Sequence, residues 1–548
     1  MENEIQKHQI VIAGAGLVGL TLALLLAKKG QKVVLIDEKK QASVGSRAIC
    51  FSRKTLEIFD KIDVADAVMK IGVRWHTGRI FFQDKEVDKF EVIPNNNAKF
   101  PSFINISQQD LEEILLKKAL SEKYIDIKLN HTIHDLRRNE KVSNTDKGLD
   151  LNSIVLVNDT KEVEYYFNFL LACDGSKSPI RNLLGLQLEG ERFEDEFLII
   201  DFRMDSDFPS ERWFWFSPLY DPESTILLHK QPHNIWRIDF KLGKNIDRNV
   251  IEDKIYLYNK IKNVVGDKEI EILWVSKYKF SCKMLPKFVY NSVVFAGDSA
   301  HVFSPFGARG ANSGIQDADN LAWKLHEILN DNTANRLLNR YNSERTLAAR
   351  QNLECTINST LFISPPSKRA ESVRNQLLIK ASSNKDFRNK INCGRLSVPN
   401  MYNPLPDSEE GKWDSTERSP GNCAIDCFIE SAKSYLVESL PYDFTILVSE
   451  GILTQEEKIN LISNKVFFLE INLSIDKSLC ESYELTSSSA YLFTPDQYIL
   501  GRWKDFEISK VLILIHNYKR GKFNPRSKTK RSDQELIDFK IAKKLLSV

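Results

Sequence analysis

The first 37 residues narrow the choice of fold more than any other stretch. An apolar run at 9–13 (Q-I-V-I-A) passes directly into Gly14-Ala15-Gly16-Leu17-Val18-Gly19. An apolar stretch at 17–29, closed by Gly30, leads to a second short run at 32–36 that ends in Asp37. Short apolar runs bounded by glycine read as buried strands, and the longer stretch between them as a helix. The unit is βαβ, with G-x-G-x-x-G at its first turn and a carboxylate about twenty residues further on. Glycine permits a tight turn there and close approach of a pyrophosphate to the helix N-terminus, while Asp37 can accept from ribose hydroxyls. No Gly-Lys-Ser/Thr follows, so the turn is not a mononucleotide P-loop. A dinucleotide site is predicted.

Two later stretches repeat this logic. An apolar run at 167–172 ends in Cys173-Asp174-Gly175, with Arg181 shortly after, so a second carboxylate stands at a strand end. Residues 292–327 give a third: a run at 293–296, then Gly297-Asp298, a Pro- and Gly-containing loop at 304–314, and a helical apolar pattern from 315 onward. The N-terminus of that helix offers unpaired N–H groups and a positive dipole end to an electron-rich ligand. Arg47, just past the βαβ unit, either reaches the ligand's phosphates or is a solvated surface residue; spacing leaves both open.

Other classes find little support. A net charge of +2 gives no drive towards nucleic acid or an anionic membrane. The apolar stretch at 17–27 is too short to span a bilayer. The N-terminus lacks the basic-then-apolar order of a signal peptide, so a cytoplasmic location is expected. The eight cysteines are scattered without a C-x-x-C, and no metal site is expected.

The predicted organisation is α/β. Residues 1–185 form the first part of the dinucleotide domain, with 76–100 joining a β-sheet domain at 186–290 that is inserted into it. Residues 291–360 return to the first domain, 361–421 are a helical segment and linker, and 422–548 are a small α/β domain with a basic tail at 519–531 and a closing helix at 536–545. In the sheet domain Trp213 and Trp215 share one strand face and Trp236, Ile238 and Phe240 share another. Such aromatic faces are expected either to wall a pocket for a flat substrate or to pack as core.

The three motifs in this order resemble those of the flavin-dependent aromatic hydroxylases of the p-hydroxybenzoate hydroxylase type. S-R-A-I-C-F-S-R-K-T-L-E-I-F at 46–59, F-W-F at 214–216, L-H-K-Q at 228–231 and N-I-W-R-I-D-F at 234–240 are similar to the 3-(3-hydroxyphenyl)propionate hydroxylase and polyketide hydroxylase branch. T-P-D-Q-Y at 494–498 is similar to the R-P-D-x-Y of its C-terminal domain. The resemblance implies a Rossmann-like FAD-binding domain, an inserted antiparallel β-sheet substrate domain and a C-terminal thioredoxin-like α/β domain. It implies FAD as cofactor, NADH or NADPH and O₂ as co-substrates, and hydroxylation of a small aromatic substrate through a flavin C4a-hydroperoxide. It places Gly14, Gly16, Gly19 and Asp37 at the ADP half of FAD, Arg47 and Gln108 beside the cofactor, and Asp174 and Arg181 in a motif linked with FAD and the nicotinamide. Gly297 and Asp298 would meet the ribityl or pyrophosphate region, and the backbone of Gly310, Ala311 and Asn312 the isoalloxazine. On the substrate side His229, His233, Arg237 and Pro305 are candidates, with Pro305-Phe306 expected to exclude water; no base for a phenol is identified. The C-terminal domain, lacking C-x-x-C, is expected to be structural or to form a homodimer. W-F-W-F-S-P at 213–218 is similar to the W-x-W-x-I-P of flavin halogenases, a rival reading, and a flavin-binding protein without turnover is another.

Overall fold

The computed structural model describes residues 6–40, 47–92, 97–138, 152–157, 162–243, 253–331, 336–388, 391 and 397–521. Ser46 of the 46–59 stretch, nearly all of the basic tail predicted at 519–531 and the closing helix predicted at 536–545 lie outside these residues.

The first sheet is built round the parallel strands predicted from the βαβ unit, with three further strands added antiparallel at its margins. Strands Val293–Phe295, Glu162–Ala172, Gln6–Ala13, Val33–Asp37 and Ile125–Leu129 pair in that order, all parallel. Their inner residues are buried on both faces, which is why they read as unbroken apolar runs. Helix Leu17–Lys28 packs on this sheet and is itself buried almost all round. Its N-cap is Gly16, which has no side chain with which to cap. Glycine at that position forgoes only roughly a few tenths of a kcal/mol. Burial of Leu20, Leu22, Leu24, Leu25 and Leu26, at about 1.5–3 kcal/mol each, far outweighs the loss.

The second sheet has eight strands in the order His301–Val302, Glu271–Met284, Glu189–Arg203, Ile235–Lys241, Thr225–Lys230, Arg212–Phe216, Thr77–Phe82 and Lys85–Glu91. Every pairing is antiparallel except that of Arg212–Phe216 with Thr77–Phe82. Strand alternation gives it two unlike faces. One buries Leu198, Ile200, Ile226, Leu228, Trp236 and Ile238 under helix Lys254–Val265, an element the sequence pattern did not reveal. Trp213 and Trp215 belong to this face, packed against that cluster. Of the two roles expected for the aromatic faces, core packing is the one observed.

A third, five-stranded mixed sheet contains Thr445–Ser449, Phe467–Ile471, Ala490–Phe493 and Ile499–Trp503, with Glu409–Glu410 as an edge strand. The 400–421 segment is therefore packed rather than a free linker; Tyr402 is buried and stacks on Tyr498 at 4.2 Å. The turn at 494–498 docks onto the first domain. Asn320 donates to Asp496 Oδ2 (2.7 Å), Lys54 Nζ to Gln497 Oε1 (2.8 Å) and Lys61 Nζ to the Pro495 carbonyl (3.4 Å).

Two helix boundaries differ from the sequence pattern. The helical pattern that runs onward from 315 is two helices, Gly310–Asn330 and Leu337–Ile363. The first begins five residues before the apolar periodicity does. Glycine costs about 1 kcal/mol in a helix, yet Asn312 fixes the first turn. Its Oδ1 accepts from the Ser52 N–H (2.9 Å) and Thr55 Oγ1 (2.6 Å), and its Nδ2 donates to the Cys50 and Ala308 carbonyls. Among the described residues no helix is long and apolar enough to cross a membrane, and no cluster of His, Cys, Asp and Glu could hold a metal.

Candidate functional site

The three sequence motifs meet because three parallel strands end in register. Ala13 lies opposite Ala172, and Ala172 opposite Phe295. The Cys173 N–H donates to the Ala13 carbonyl (2.8 Å) and the Ala296 N–H to that of Ala172 (3.1 Å). Chain therefore leaves the sheet at one level in three adjacent places, where ligands of such sheets bind.

The glycines of the first turn divide by task. Gly14 has φ +100°, and a Cβ on it would lie 2.4 Å from the Cys173 carbonyl oxygen; one on Gly19 would lie 1.8 Å from that of Gly14. These two let the turn pack on the neighbouring strand end, and Gly19 sits behind the cleft wall. A Cβ on Gly16 would meet only Glu112 Oε1 at 3.6 Å, so its open side faces the cleft. Gly16→Val should leave the melting temperature within a few degrees of wild type while the purified protein loses bound flavin. Absorbance and thermal melting check this together, and full flavin occupancy would show that no ligand approaches Gly16.

The cleft holds about 1100 Å³. This slightly exceeds the roughly 300–1,000 Å³ of a pocket for one drug-sized ligand. Asp37, at its edge, accepts from the Ala15 N–H (2.6 Å) and the Lys39 N–H (2.8 Å), tying the turn to the end of the second strand. Gln108 accepts from the Ala48 N–H (3.3 Å) and donates to Glu112 (2.8 Å); Arg47, exposed, lines the same wall. Asp174 Oδ2 accepts from the Ile180 N–H (3.0 Å), whereas its buried Oδ1 has no hydrogen-bond partner. Burial raises this carboxyl more than its bonds lower it. Arg181 donates to the Ser299 (3.0 Å) and Ser176 (2.6 Å) carbonyls, stapling the second strand-end loop to the third. Asp298 stands open to the cleft. The walls around it push its carboxyl up, while His301 and Arg47 pull it down.

Behind Asp298 lies a fully buried polar network. Asp317 Oδ2 accepts from the Gly297 N–H (2.9 Å) and His301 Nε2 (2.7 Å), and Oδ1 from Arg345 Nε (2.6 Å). Arg345 donates onward to the Tyr402 hydroxyl (2.9 Å) and the Ser313 carbonyl (3.1 Å). Gly297 and Asn312 thus brace the wall, whereas Gly310 and Ala311 face the cleft. Across from them Phe306 is buried against Phe197 and Phe280, with Pro305 exposed at the rim.

The opposite wall is the second face of the eight-stranded sheet, and it mixes polar with apolar residues. One row across four strands reads Arg212, His229, Arg237, Asp201; the next reads Phe214, Leu227, Asp239, Ile199. Arg237 is committed to Asp201 (Nε to Oδ1, 2.9 Å) and to the Arg47 carbonyl, which joins this sheet to the cofactor-side loop. His229 is buried, and burial together with Arg212 and Arg237 lowers its pKa well below the ordinary histidine value, so it is neutral. His233 sits on an exposed turn away from the cleft. Arg212, Asp201 and Asp239 do not stand out in the sequence. Asp239 follows Arg237 by two residues, so the period of a strand would have placed both on one face.

The FAD binding domain family matches residues 7–356. The chain is 26% identical over 340 residues to the probable NADH-specific resorcinol 4-hydroxylase of Rhodococcus jostii (strain RHA1), which covers 61% of this chain and 62% of that one. It is 24% identical over 411 residues to the 3-(3-hydroxy-phenyl)propionate/3-hydroxycinnamic acid hydroxylase of Mycobacterium sp. (strain KMS), covering 73% and 67%. The chain thus spans about two thirds of the length of these curated relatives. Its fold is that of the flavin-dependent monooxygenase PieE, solved with FAD and substrate (TM-score 0.78, 18% identity, 94% of this chain and 99% of that one). Aklavinone-11 hydroxylase, solved with FAD and aklavinone, shares it too (0.74, 17%, 95% and 100%).

Proposed function

Because this chain belongs to the FAD binding domain family, we propose that it is a monooxygenase using NADH or NADPH and O₂ to hydroxylate a phenolic substrate. The observation that carries this reading is the cleft itself. One wall is three in-register strand ends with an open Gly16 and an orphaned carboxylate oxygen at Asp174, and the other is a sheet face that carries Arg212, His229, Arg237 and Asp239. The first wall fits a dinucleotide. Gly16 admits a pyrophosphate to the N-terminus of helix Leu17–Lys28, Asp37 stands where ribose hydroxyls would lie, and Asp174 Oδ1 lacks a donor that a ligand hydroxyl or amide would provide. FAD, when bound, supplies the hydride acceptor and the site of oxygen activation.

The protein's own contribution is position and electrostatics. The first turn of helix Gly310–Asn330 aims N–H groups and a positive dipole end into the cleft, stabilising negative charge there. Phe306, Phe197 and Phe280 form a dry wall that keeps water from the reacting atoms. The halogenase reading loses its motif, since Trp213 and Trp215 pack on the sheet face turned away from the cleft.

The substrate is either a phenylpropionate-like phenolic acid or a polycyclic phenol or quinone. A visible spectrum of the purified protein should show the two bands of bound flavin, and their absence would overturn the FAD reading. NADH and NADPH oxidation should then rise with some member of a panel of monocyclic and polycyclic phenols. Bound flavin with no stimulation by any of them would leave a flavin-binding protein without this turnover.

A further inference from the structure

Among the described residues Asp239 Oδ1 is left without a hydrogen-bond donor, and Arg237 and Arg212 act on the carboxylate as charges alone. Asp239 is 7% exposed and lines the cleft. Its neighbours across the sheet, Leu227 and Ile199, are apolar and line the same cleft. A buried carboxylate oxygen left without a donor is rare in a folded protein and asks for a ligand that provides one.

We propose that Asp239 is the catalytic base that accepts the proton of the substrate's ring hydroxyl. The hydroxyl O–H bond breaks, a new O–H bond forms at the Asp239 carboxylate, and the electron pair stays on the ring oxygen, where it enriches the ring for oxygenation. The proton afterwards leaves the carboxyl for water at the cleft mouth. This inference rests on the phenolic reading given above.

Charge separates Asp239 from the other candidate, His229, whose buried Nδ1 also lacks a partner. Protonating His229 would place a third cation between Arg212 and Arg237 in its own row. Protonating Asp239 instead neutralises an anion. The groups facing Asp239 are Arg237 and Lys241 on its own strand, Asp201 on Glu189–Arg203, Arg212 on Arg212–Phe216, His229 on Thr225–Lys230 and Tyr278 on Glu271–Met284. Burial pushes its carboxyl up to about 6, with Arg237 and Arg212 pulling down and Asp201 pushing up. A base must be ionised, so activity should fall as pH drops through about 6. A pKa near the working pH is what general-base chemistry favours.

The test uses FAD-loaded wild type, Asp239→Asn, Asp239→Glu and His229→Gln, with flavin content and melting temperature as fold controls. 4-Nitrophenol is titrated into each from mildly acid to mildly alkaline pH, following the phenolate band. Removing a carboxylate beside the phenol removes repulsion on the phenolate. The bound probe should therefore ionise at lower pH in Asp239→Asn, by about one unit or more. Asp239→Glu should behave as wild type, and His229→Gln should not reproduce the shift. With resorcinol as the turnover probe, formation of hydroxylated product by Asp239→Asn should lose the acid limb near pH 6 that the wild type shows. The same ionisation in wild type and Asp239→Asn would overturn the assignment, as would a shift only in His229→Gln. No binding of 4-nitrophenol to flavin-loaded wild type would instead overturn the phenolic reading, and this inference with it.

Discussion

Asp317→Asn is expected to destabilise the protein by about 3–5 kcal/mol, because it leaves the Arg345 guanidinium buried without its counter-charge. Asp317 and Arg345 are both fully buried, and the carboxylate also fixes the Gly297 N–H and His301 beside Asp298. Burial opposes the charge on Asp317, but Arg345 and His301 outweigh it and hold the carboxyl below its ordinary value. A carboxyl depressed by folding stabilises the fold above the ordinary carboxylate range and loses that contribution only as pH falls through its folded value. The effect should therefore be at full size at neutral pH. Denaturant unfolding measures it, and flavin content reports whether the Gly297-Asp298 loop has moved. Asp317→Asn combined with Arg345→Met should recover part of the loss, since no charge is then stranded. An unchanged unfolding midpoint in the single variant would show that the pair carries no net stability.

The second large effect is expected from Gly19→Ala. Its new methyl would lie 1.8 Å from the Gly14 carbonyl oxygen and 3.0 Å from that carbonyl carbon. Both atoms are backbone, so no rotamer relieves the clash and the whole turn must shift. Overpacking of this kind costs about 1–3 kcal/mol. Gly14 cannot yield towards the neighbouring strand, because its own contact with the Cys173 carbonyl is already closed to a Cβ. Gly19→Ala should lose both thermal stability and bound flavin, in contrast to Gly16→Val, which should lose flavin alone. A Gly19→Ala protein with wild-type melting and full flavin would contradict the packing described for this turn.

Much of the cofactor-side wall is legible in the sequence, and for a physical reason. Buried parallel strands must be apolar throughout, the turns between them must be glycine where backbone meets backbone, and both leave marks within a few residues of each other. Gly14, Asp174 and Asp298 are thus recognisable as three strand ends from local pattern alone. Their registry is not, since it depends on pairing between residues more than a hundred positions apart. The start of helix Gly310–Asn330 is hidden because Asn312 anchors it through bonds to 50–55 rather than through local propensity. On the substrate side Trp213, Trp215, Trp236 and Phe240 dominate the sequence pattern, yet they lie on the far face. The polar residues alternating with them face the cleft. Arg237 reads locally as a carboxylate receptor, but Asp201 comes from a strand that local reasoning cannot bring beside it.

The docked turn at 494–498 also bears on how the chain is made. Synthesis delivers the strand Gln6–Ala13 well before Val293–Phe295, which pairs beyond Glu162–Ala172 in the same sheet. The polar face of helix Gly310–Asn330 waits longer still, until Asp496 has emerged to meet Asn320. Until then Asn320, Lys54 and Lys61 lack the partners that residues 495–497 provide. Long-range closure of this kind is slow and leaves apolar surface open to other chains meanwhile. A ribosome-bound nascent chain stalled short of residue 494 should accordingly be cut more readily at helix Gly310–Asn330 than the released chain.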